Sequence, residues 1–169
     1  MTEVFLLLGS NLGDREELLQ KAIQNIDKRC GRFVRQSSVY ETEPWGFDGN
    51  QQFLNQVVVI ETALTPSQLL AEILEIELEL GRIRKSERME SRLIDIDILF
   101  FGAYIIDEPM LKVPHPKIPE RRFTLVPLLE LAPDMLHPVL KKSVRQLHKE
   151  CPDRLKVISY FDRSLLPKY

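Results

Sequence analysis

Apolar and polar positions along this chain recur with periods that change from one segment to the next. Residues 4–8 are a five-residue apolar run, which predicts a fully buried strand closed by the turn signal Gly9-Ser10-Asn11-Leu12-Gly13. Asp14 can then accept from the first free N–H groups of a helix, with Glu17 three residues on. Leu18, Leu19, Ala22, Ile23 and Ile26 recur at three- and four-residue spacing up to a stop at Gly31. Residues 33–41 and 53–61 are rich in β-branched and aromatic side chains and predict two strands. The connection between them, 42–52, is long for a hairpin and is therefore expected to be functional. Thr65, Pro66 and Gln68 give a capping box with proline at the first helical position. Leu69, Leu70, Ile73, Ile76 and Leu80 form the buried stripe of that second helix, and Gly81 stops it. Residues 93–101 predict a central strand, and short helices are expected at 124–130 and 143–149. The order β-α-β-β-α-β is that of a ferredoxin-like α+β fold, an antiparallel sheet with helices packed on it. No repeat, low-complexity tract or linker divides residues 1–169, so a single domain is expected.

Composition narrows this picture. The chain has 169 residues, 44% hydrophobic and 28% charged, which excludes disordered, collagen-like and coiled-coil classes. A formal net charge of −2 excludes a dominantly basic nucleic-acid binder. Two cysteines, Cys30 and Cys151, are too few for a disulfide framework or a four-ligand zinc site, and they suit a reducing compartment. The N-terminal apolar run is too short for a signal peptide, and no stretch approaches the ~20 apolar residues of a membrane span. A soluble, cytoplasmic protein is expected. The charge itself is uneven. Residues 82–92 carry Arg82, Arg84, Lys85, Arg88 and Arg92 against Glu87 and Glu90, a local +3 that leaves −5 on the remainder.

The sharpest chemical feature is Asp95 and Asp97. In a strand, positions two apart share a face, so both carboxylates point one way while Ile94, Ile96 and Ile98 point the other. Two adjacent carboxylates on an apolar strand repel each other unless a cation lies between them. Oxygen donors on one face suit Mg²⁺, which takes one or two carboxylates together with water and phosphate oxygens. The same alternation also describes an edge strand whose polar face is simply wet. The basic segment immediately upstream favours the metal reading, because arginine forks bind phosphate oxygens bidentately. The chain has no P-loop pattern, so any phosphates are not held that way.

Here the residues resemble a family. Arg92-Leu93-Ile94-Asp95-Ile96-Asp97-Ile98-Leu99 resembles the Arg-x-x-Asp-x-Asp signature of the 6-hydroxymethyl-7,8-dihydropterin pyrophosphokinases. Gly9-Ser10-Asn11-Leu12-Gly13, Ser38-Val39-Tyr40-Glu41-Thr42, Phe53-Leu54-Asn55, Ile76-Glu77, Gly81-Arg82, Val113-Pro114-His115-Pro116 and Arg121-Arg122-Phe123 extend the likeness over about residues 4–138. The resemblance implies transfer of pyrophosphate from ATP to a pterin alcohol, a step of folate biosynthesis, with two Mg²⁺ ions; a monomer with no nucleic-acid or membrane partner is expected.

It also implies roles for individual residues. Asp95 and Asp97 would hold the metal ions. Arg82 and Arg92 would join them as catalytic residues, with Arg82, Arg84 and Arg92 in a mobile basic lid. Glu77, Arg84, Arg92, Ile98, His115 and Arg121 would bind ATP. Asn55 and the segment Thr42, Pro44, Trp45, Gly46 would read the pterin's edge, and Phe53 and Phe123 would sandwich its ring. Taken singly, Phe53 and Phe123 are also ordinary core residues. Leu74, Met89, Met110, Lys112 and Pro116 depart from the family's usual pattern. Competing classes are a non-catalytic ligand-binding module, a ferredoxin-like RNA binder and an ordinary γ-phosphoryl kinase.

Overall fold

A computed structural model describes residues 1–46, 49–81 and 93–160. Arg82, Arg84 and Arg92, expected to serve the phosphates, lie outside the described residues, as do Lys85, Arg88 and Met89. The elements run β1 (Thr2–Ser10), α1 (Arg15–Arg29), β2 (Arg32–Gln36), β3 (Tyr40–Thr42), β4 (Phe53–Thr62), α2 (Pro66–Glu79), β5 (Asp95–Phe101), β6 (Ile106–Glu108), β7 (Leu111–Val113), α3 (Arg122–Leu131), α4 (Val144–Glu150) and β8 (Val157–Ser159). The main sheet has the order β5-β1-β4-β3-β8, with β2 also paired to β4, and β6 and β7 make a separate two-stranded sheet. This is the α+β ferredoxin-like arrangement, its second strand split in two.

Local chemistry explains the helix boundaries. Asp14 caps α1 by accepting from Glu17 N at 3.1 Å. At α2 the capping box is complete, with Thr65 Oγ1 accepting from Gln68 N and Gln68 Oε1 accepting from Thr65 N. Gly31 follows α1 where the chain grazes β4, and a Cβ there would lie 2.4 Å from the Glu61 carbonyl oxygen. Only glycine fits that approach.

Both sheet faces are covered, but unequally. Val4, Leu6 and Leu8 of β1, Leu54, Val58 and Ile60 of β4, and Ile96 and Ile98 of β5 pack under Leu19, Ala22 and Ile26 of α1 and Leu69, Ile73 and Ile76 of α2. The opposite face presents Phe5, Leu7, Val57, Val59, Leu99 and Phe100 to Leu125 and Leu128 of α3 and Val144 and Leu147 of α4. Glu130 near the end of α3 accepts from Ser38 N at 3.0 Å and Tyr40 Oη at 2.6 Å, and Asp153 accepts from Arg122 N at 3.0 Å. These bonds hold α3 at both ends with Phe123 in its first turn. Burial and the Glu130 carboxylate raise the Tyr40 hydroxyl pKa to about 12, so it remains a donor.

Three sequence expectations need correction. Residues 93–101 were expected to form a central strand, but β5 pairs only with β1 among the described strands and is the edge of the sheet. Its apolar run reflects cover rather than centrality: α2 lies over one face, and the chain after β7 bonds to its edge through His115 N and the Leu99 carbonyl at 2.9 Å. The single strand expected at 33–41 is two, β2 and β3, which meet different stretches of β4. Ser37 bridges the break, its N–H donating to Val57 O and its Oγ accepting from Val57 N. Finally, Gly9 and Ser10 belong to β1 rather than to a turn, because they continue its pairing with Asn55 and Leu54.

Among the described residues no helix is long and apolar enough to cross a membrane. Replacing Gly31 with Ala should destabilise the fold by about 2 kcal/mol, since a methyl group would be driven against backbone that cannot yield. The urea midpoint of Gly31→Ala against wild type checks this, with an unchanged midpoint as the contrary result.

Candidate active site

The helices of the second face leave one end of the sheet open. There the strand register places Gly9 between Asn55 of β4 and Asp95 of β5, with Leu7 opposite Asp97. A Cβ on Gly9 would meet Asn55 Oδ1 at 3.1 Å, so the missing side chain leaves a flat floor beside that amide. Asn55 is buried, and its Nδ2 donates to Thr42 Oγ1 at 2.7 Å, which fixes the plane of its amide. Around this floor stand Thr42, Trp45, Phe53, Phe123 and Arg121, enclosing a cleft of about 550 Å³ including its mouth. Asp95 and Asp97 form its far wall.

Aromatic groups dominate this cleft. The rings of Trp45 and Phe123 meet edge to face at 6.5 Å. The Arg121 guanidinium lies 4.8 Å from the Trp45 centroid and 5.6 Å from that of Phe123, with Nη1 3.8 Å from Asp97 Oδ2. Arg121, expected on the ATP side, therefore reaches the aromatic cleft and the carboxylates together. Pro44 and Gly46 belong to the same connection as Trp45 but do not line the cleft.

A second cleft opens on the other side of the same two aspartates. It has about 830 Å³ including its mouth, and its walls include Glu77, Ile98, His115, Leu74, Met110, Lys112 and Pro116. Glu77 is 2% exposed, and its Oε1 accepts from Ile96 N at 2.8 Å, tying α2 to β5 between the two aspartates. Lys112 pairs with Asp107 across the β6–β7 hairpin at 2.7 Å. Asp95 and Asp97 are thus shared by two clefts of different character, one smaller and aromatic, the other larger and more polar.

The model of the 7,8-dihydro-6-hydroxymethylpterin-pyrophosphokinase family matches residues 5–133. The chain belongs to that family. An Aquifex aeolicus 2-amino-4-hydroxy-6-hydroxymethyldihydropteridine pyrophosphokinase is 39% identical over 150 residues, 89% of this chain and 92% of the relative. The enzyme of that name from Porphyromonas gingivalis is 45% identical over 141 residues, covering 82% and 95%. Among solved structures, a Plasmodium falciparum HPPK-DHPS wild type with STZ-DHP superposes with a TM-score of 0.72 at 19% identity, which speaks to the fold alone. The match covers 88% of this chain and 43% of that longer one.

Within this pyrophosphokinase-family chain, four of the five positions that depart from the usual pattern, Leu74, Met110, Lys112 and Pro116, line the second cleft. The aromatic cleft keeps the residues that carried the resemblance. Sequence reasoning missed Gly9, whose signal was a glycine at the end of an apolar strand, and Leu7 and Glu43, which also line the aromatic cleft and gave no signal.

His115 illustrates how the second cleft is set. Its Nδ1 accepts from Lys117 N at 3.1 Å, so the neutral ring carries its proton on Nε2, which lies 3.9 Å from Asp97 Oδ2. Burial, followed by the charge of Arg121, lowers its pKa to about 4, with the Asp95 carboxylate pulling the other way. The ring is neutral at pH 7.

The depressed His115 value ties stability to pH. Above pH 6.5 both folded and unfolded chains hold His115 neutral. Between 6.5 and about 4 only the unfolded chain takes up the proton, so stability falls with falling pH, by about 2–3 kcal/mol at most. Burial lowers His137 and His148 as well, and they contribute slope in the same direction. Urea midpoints of the metal-free protein should decline less from pH 6.5 to 4.5 in His115→Gln than in wild type. Parallel declines would count against the assignment.

Proposed function

We propose that this chain transfers the pyrophosphoryl group of ATP to the hydroxyl of 6-hydroxymethyl-7,8-dihydropterin, giving AMP and the pterin diphosphate. The observation that carries this reading is the shared aspartate pair: Asp95 and Asp97 form the wall common to an aromatic cleft and a polar one. A flat heterocycle and a nucleoside triphosphate entering from opposite sides would meet at these carboxylates. Phe53, Phe123 and Trp45 supply apolar faces for the ring. Asn55, held by Thr42, presents an amide of fixed orientation to the ring's hydrogen-bonding edge, and the backbone at Thr42 and Trp45, which line the cleft, completes that edge. Residues 1–169 carry this activity as one domain, acting as a cytoplasmic monomer.

The donor set fits a hard divalent cation. Two carboxylates on one half-exposed strand face match the one or two that Mg²⁺ takes when phosphate and water oxygens fill its other positions. Among the described residues no third acidic, histidine or cysteine ligand joins them, which leaves room for substrate oxygens. Two bound Mg²⁺ ions would neutralise phosphate charge and lower the proton affinity of the attacking hydroxyl.

The chain's own residues position and neutralise. The pterin oxygen forms a bond to the β-phosphorus and releases its proton to water, the bond from that phosphorus to the oxygen bridging it to the α-phosphorus breaks with its electron pair on that oxygen, and AMP leaves. Arg121, placed between the aromatic rings and Asp97, faces the charge that gathers on the transferring group. His115, neutral and protonated on Nε2, donates to a phosphate oxygen without adding charge. Glu77 holds the strand between the two aspartates in place and, with Ile98, borders the nucleoside. Arg82, Arg84 and Arg92, outside the described residues, supply the remaining phosphate contacts.

Asp95→Ala and Asp97→Ala should each lower turnover by at least about 10³-fold while pterin affinity changes only a few-fold. Steady-state kinetics alongside Trp45 fluorescence titration separates the two effects. Near-normal turnover in either variant would overturn the assignment. Incubation with Mg²⁺, ATP and the pterin should release AMP; ADP as the product would place transfer at the γ-phosphorus instead.

A further inference from the structure

α1 opens on a residue that its helix disfavours. Arg15 is its first residue, where free N–H groups and the positive end of the macrodipole favour acidic side chains. Glu16 and Glu17 follow that rule and Arg15 does not, so its side chain has another use. Nη2 lies 2.9 Å from Glu41 Oε2, and Nη1 donates to the Gln52 carbonyl oxygen at 2.9 Å. Both partners of the ion pair are about three-quarters buried, with side-chain exposures of 26% and 24%. The Tyr160 ring lies 5.9 Å from the guanidinium carbon, and beside it Asn11 Nδ2 donates to Gln51 O at 3.3 Å.

The two acceptors are far apart in sequence and informative in place. Glu41 immediately precedes Thr42, and Gln52 immediately precedes Phe53, so one planar fork ties together the two ends of the 42–52 connection. Thr42, Trp45 and Phe53 between and beside those ends wall the aromatic cleft. An isolated surface ion pair stabilises a fold little. A rigid fork that bonds two chain segments at once instead fixes their relative position, and a lysine does this less well because its donors share one nitrogen on a flexible stem.

We propose that Arg15 is a positioning residue for the pterin substrate: by clamping Glu41 to Gln52 it holds the aromatic cleft in its binding-competent shape before the ligand arrives. The inference rests on the reading of that cleft as the pterin site. Without the clamp the connection samples more conformers, and the cost of ordering it is taken from pterin affinity. ATP, on the far side of the aspartates, is unaffected.

Trp45 is the single tryptophan of the chain, so its fluorescence reports this connection directly. In ligand-free Arg15→Ala, Trp45 should be more accessible to acrylamide and show lower anisotropy. Kd and KM for 6-hydroxymethyl-7,8-dihydropterin should rise about five- to tenfold, with kcat and the KM for ATP within about twofold. Arg15→Lys should restore less than half of the lost affinity. Glu41→Gln should weaken pterin binding on its own and add little in the double variant. Unchanged pterin affinity in Arg15→Ala, or equal losses for pterin and ATP accompanied by a lower Tm, would overturn the proposal. Asn55→Ala is the control: if it leaves pterin binding intact, the cleft itself has been misread. If Asn55→Ala abolishes binding while Arg15→Ala does not alter it, the clamp alone fails.

Discussion

β1 is hydrogen-bonded on both sides, to β4 and to β5, so a single register sets three strands at once. Because side chains alternate with a period of two, a slip by one residue would send Leu7 toward the helices of the first face and Leu8 toward the cleft. The burial of Val4, Leu6 and Leu8 under α1 and α2 forbids that slip. The same constraint lines up Asn55, Gly9 and Asp95 in one row across the sheet, with Asp97 and Leu7 in the next. A β-bulge in the β1–β5 pairing then turns Leu99 and Phe100 to the same face, where Phe100 meets Phe5 edge to face at 6.1 Å. Core packing at one end of the three strands therefore places the polar side chains at the other.

The unequal cover of the two faces does the rest. α1 and α2 bury the first face, whereas α3 and α4 stop short of the row that holds Gly9, Asn55 and Asp95. A sheet end left uncovered would ordinarily expose apolar surface to water. Here it is lined by aromatic rings from a connection and a helix start, which come within 6.5 Å of each other and leave a slot. Residues 151–160, after α4, brace this arrangement: Asp153 accepts from the first N–H of α3, β8 pairs with β3, and Tyr160 meets the Arg15 clamp.

Much of the fold was legible because it rests on local rules. The Thr65 capping box, the stop at Gly81 and the alternation of Asp95 and Asp97 with isoleucines each have a near-neighbour cause that the sequence displays. The errors share a different origin. Periodicity reports burial and not identity of neighbours, so β5 read as central when it is an edge covered by α2 and the chain at His115. The break between β2 and β3 depends on where each meets β4, a long-range matter that Ser37 does not announce. Gly9 looked like a turn residue because glycine is most often that, and its use as a floor depends on Asn55, which lies forty-six positions away. Arg15 was missed for the same reason, although an arginine opening a helix was itself a local anomaly.

On the proposed reaction, the uneven distribution of departures from the family pattern has a physical rationale. ATP presents a long polyphosphate to the carboxylates and arginines, so charge supplies much of its binding and the nucleoside needs only an adequate wall. Leu74 and Met110 keep such a wall apolar, while Lys112 is engaged by Asp107 and Pro116 is rigid. The pterin is small and flat, with a hydrogen-bonding edge and two faces as its whole means of recognition. A site built to hydrogen-bond such an edge discriminates strongly, because a lost partner leaves a buried polar group unpaired. Asn55, 3% exposed and fixed by Thr42, is such a group. The aromatic cleft consequently has little latitude to change and the second cleft has more, and the aspartates between them belong to both.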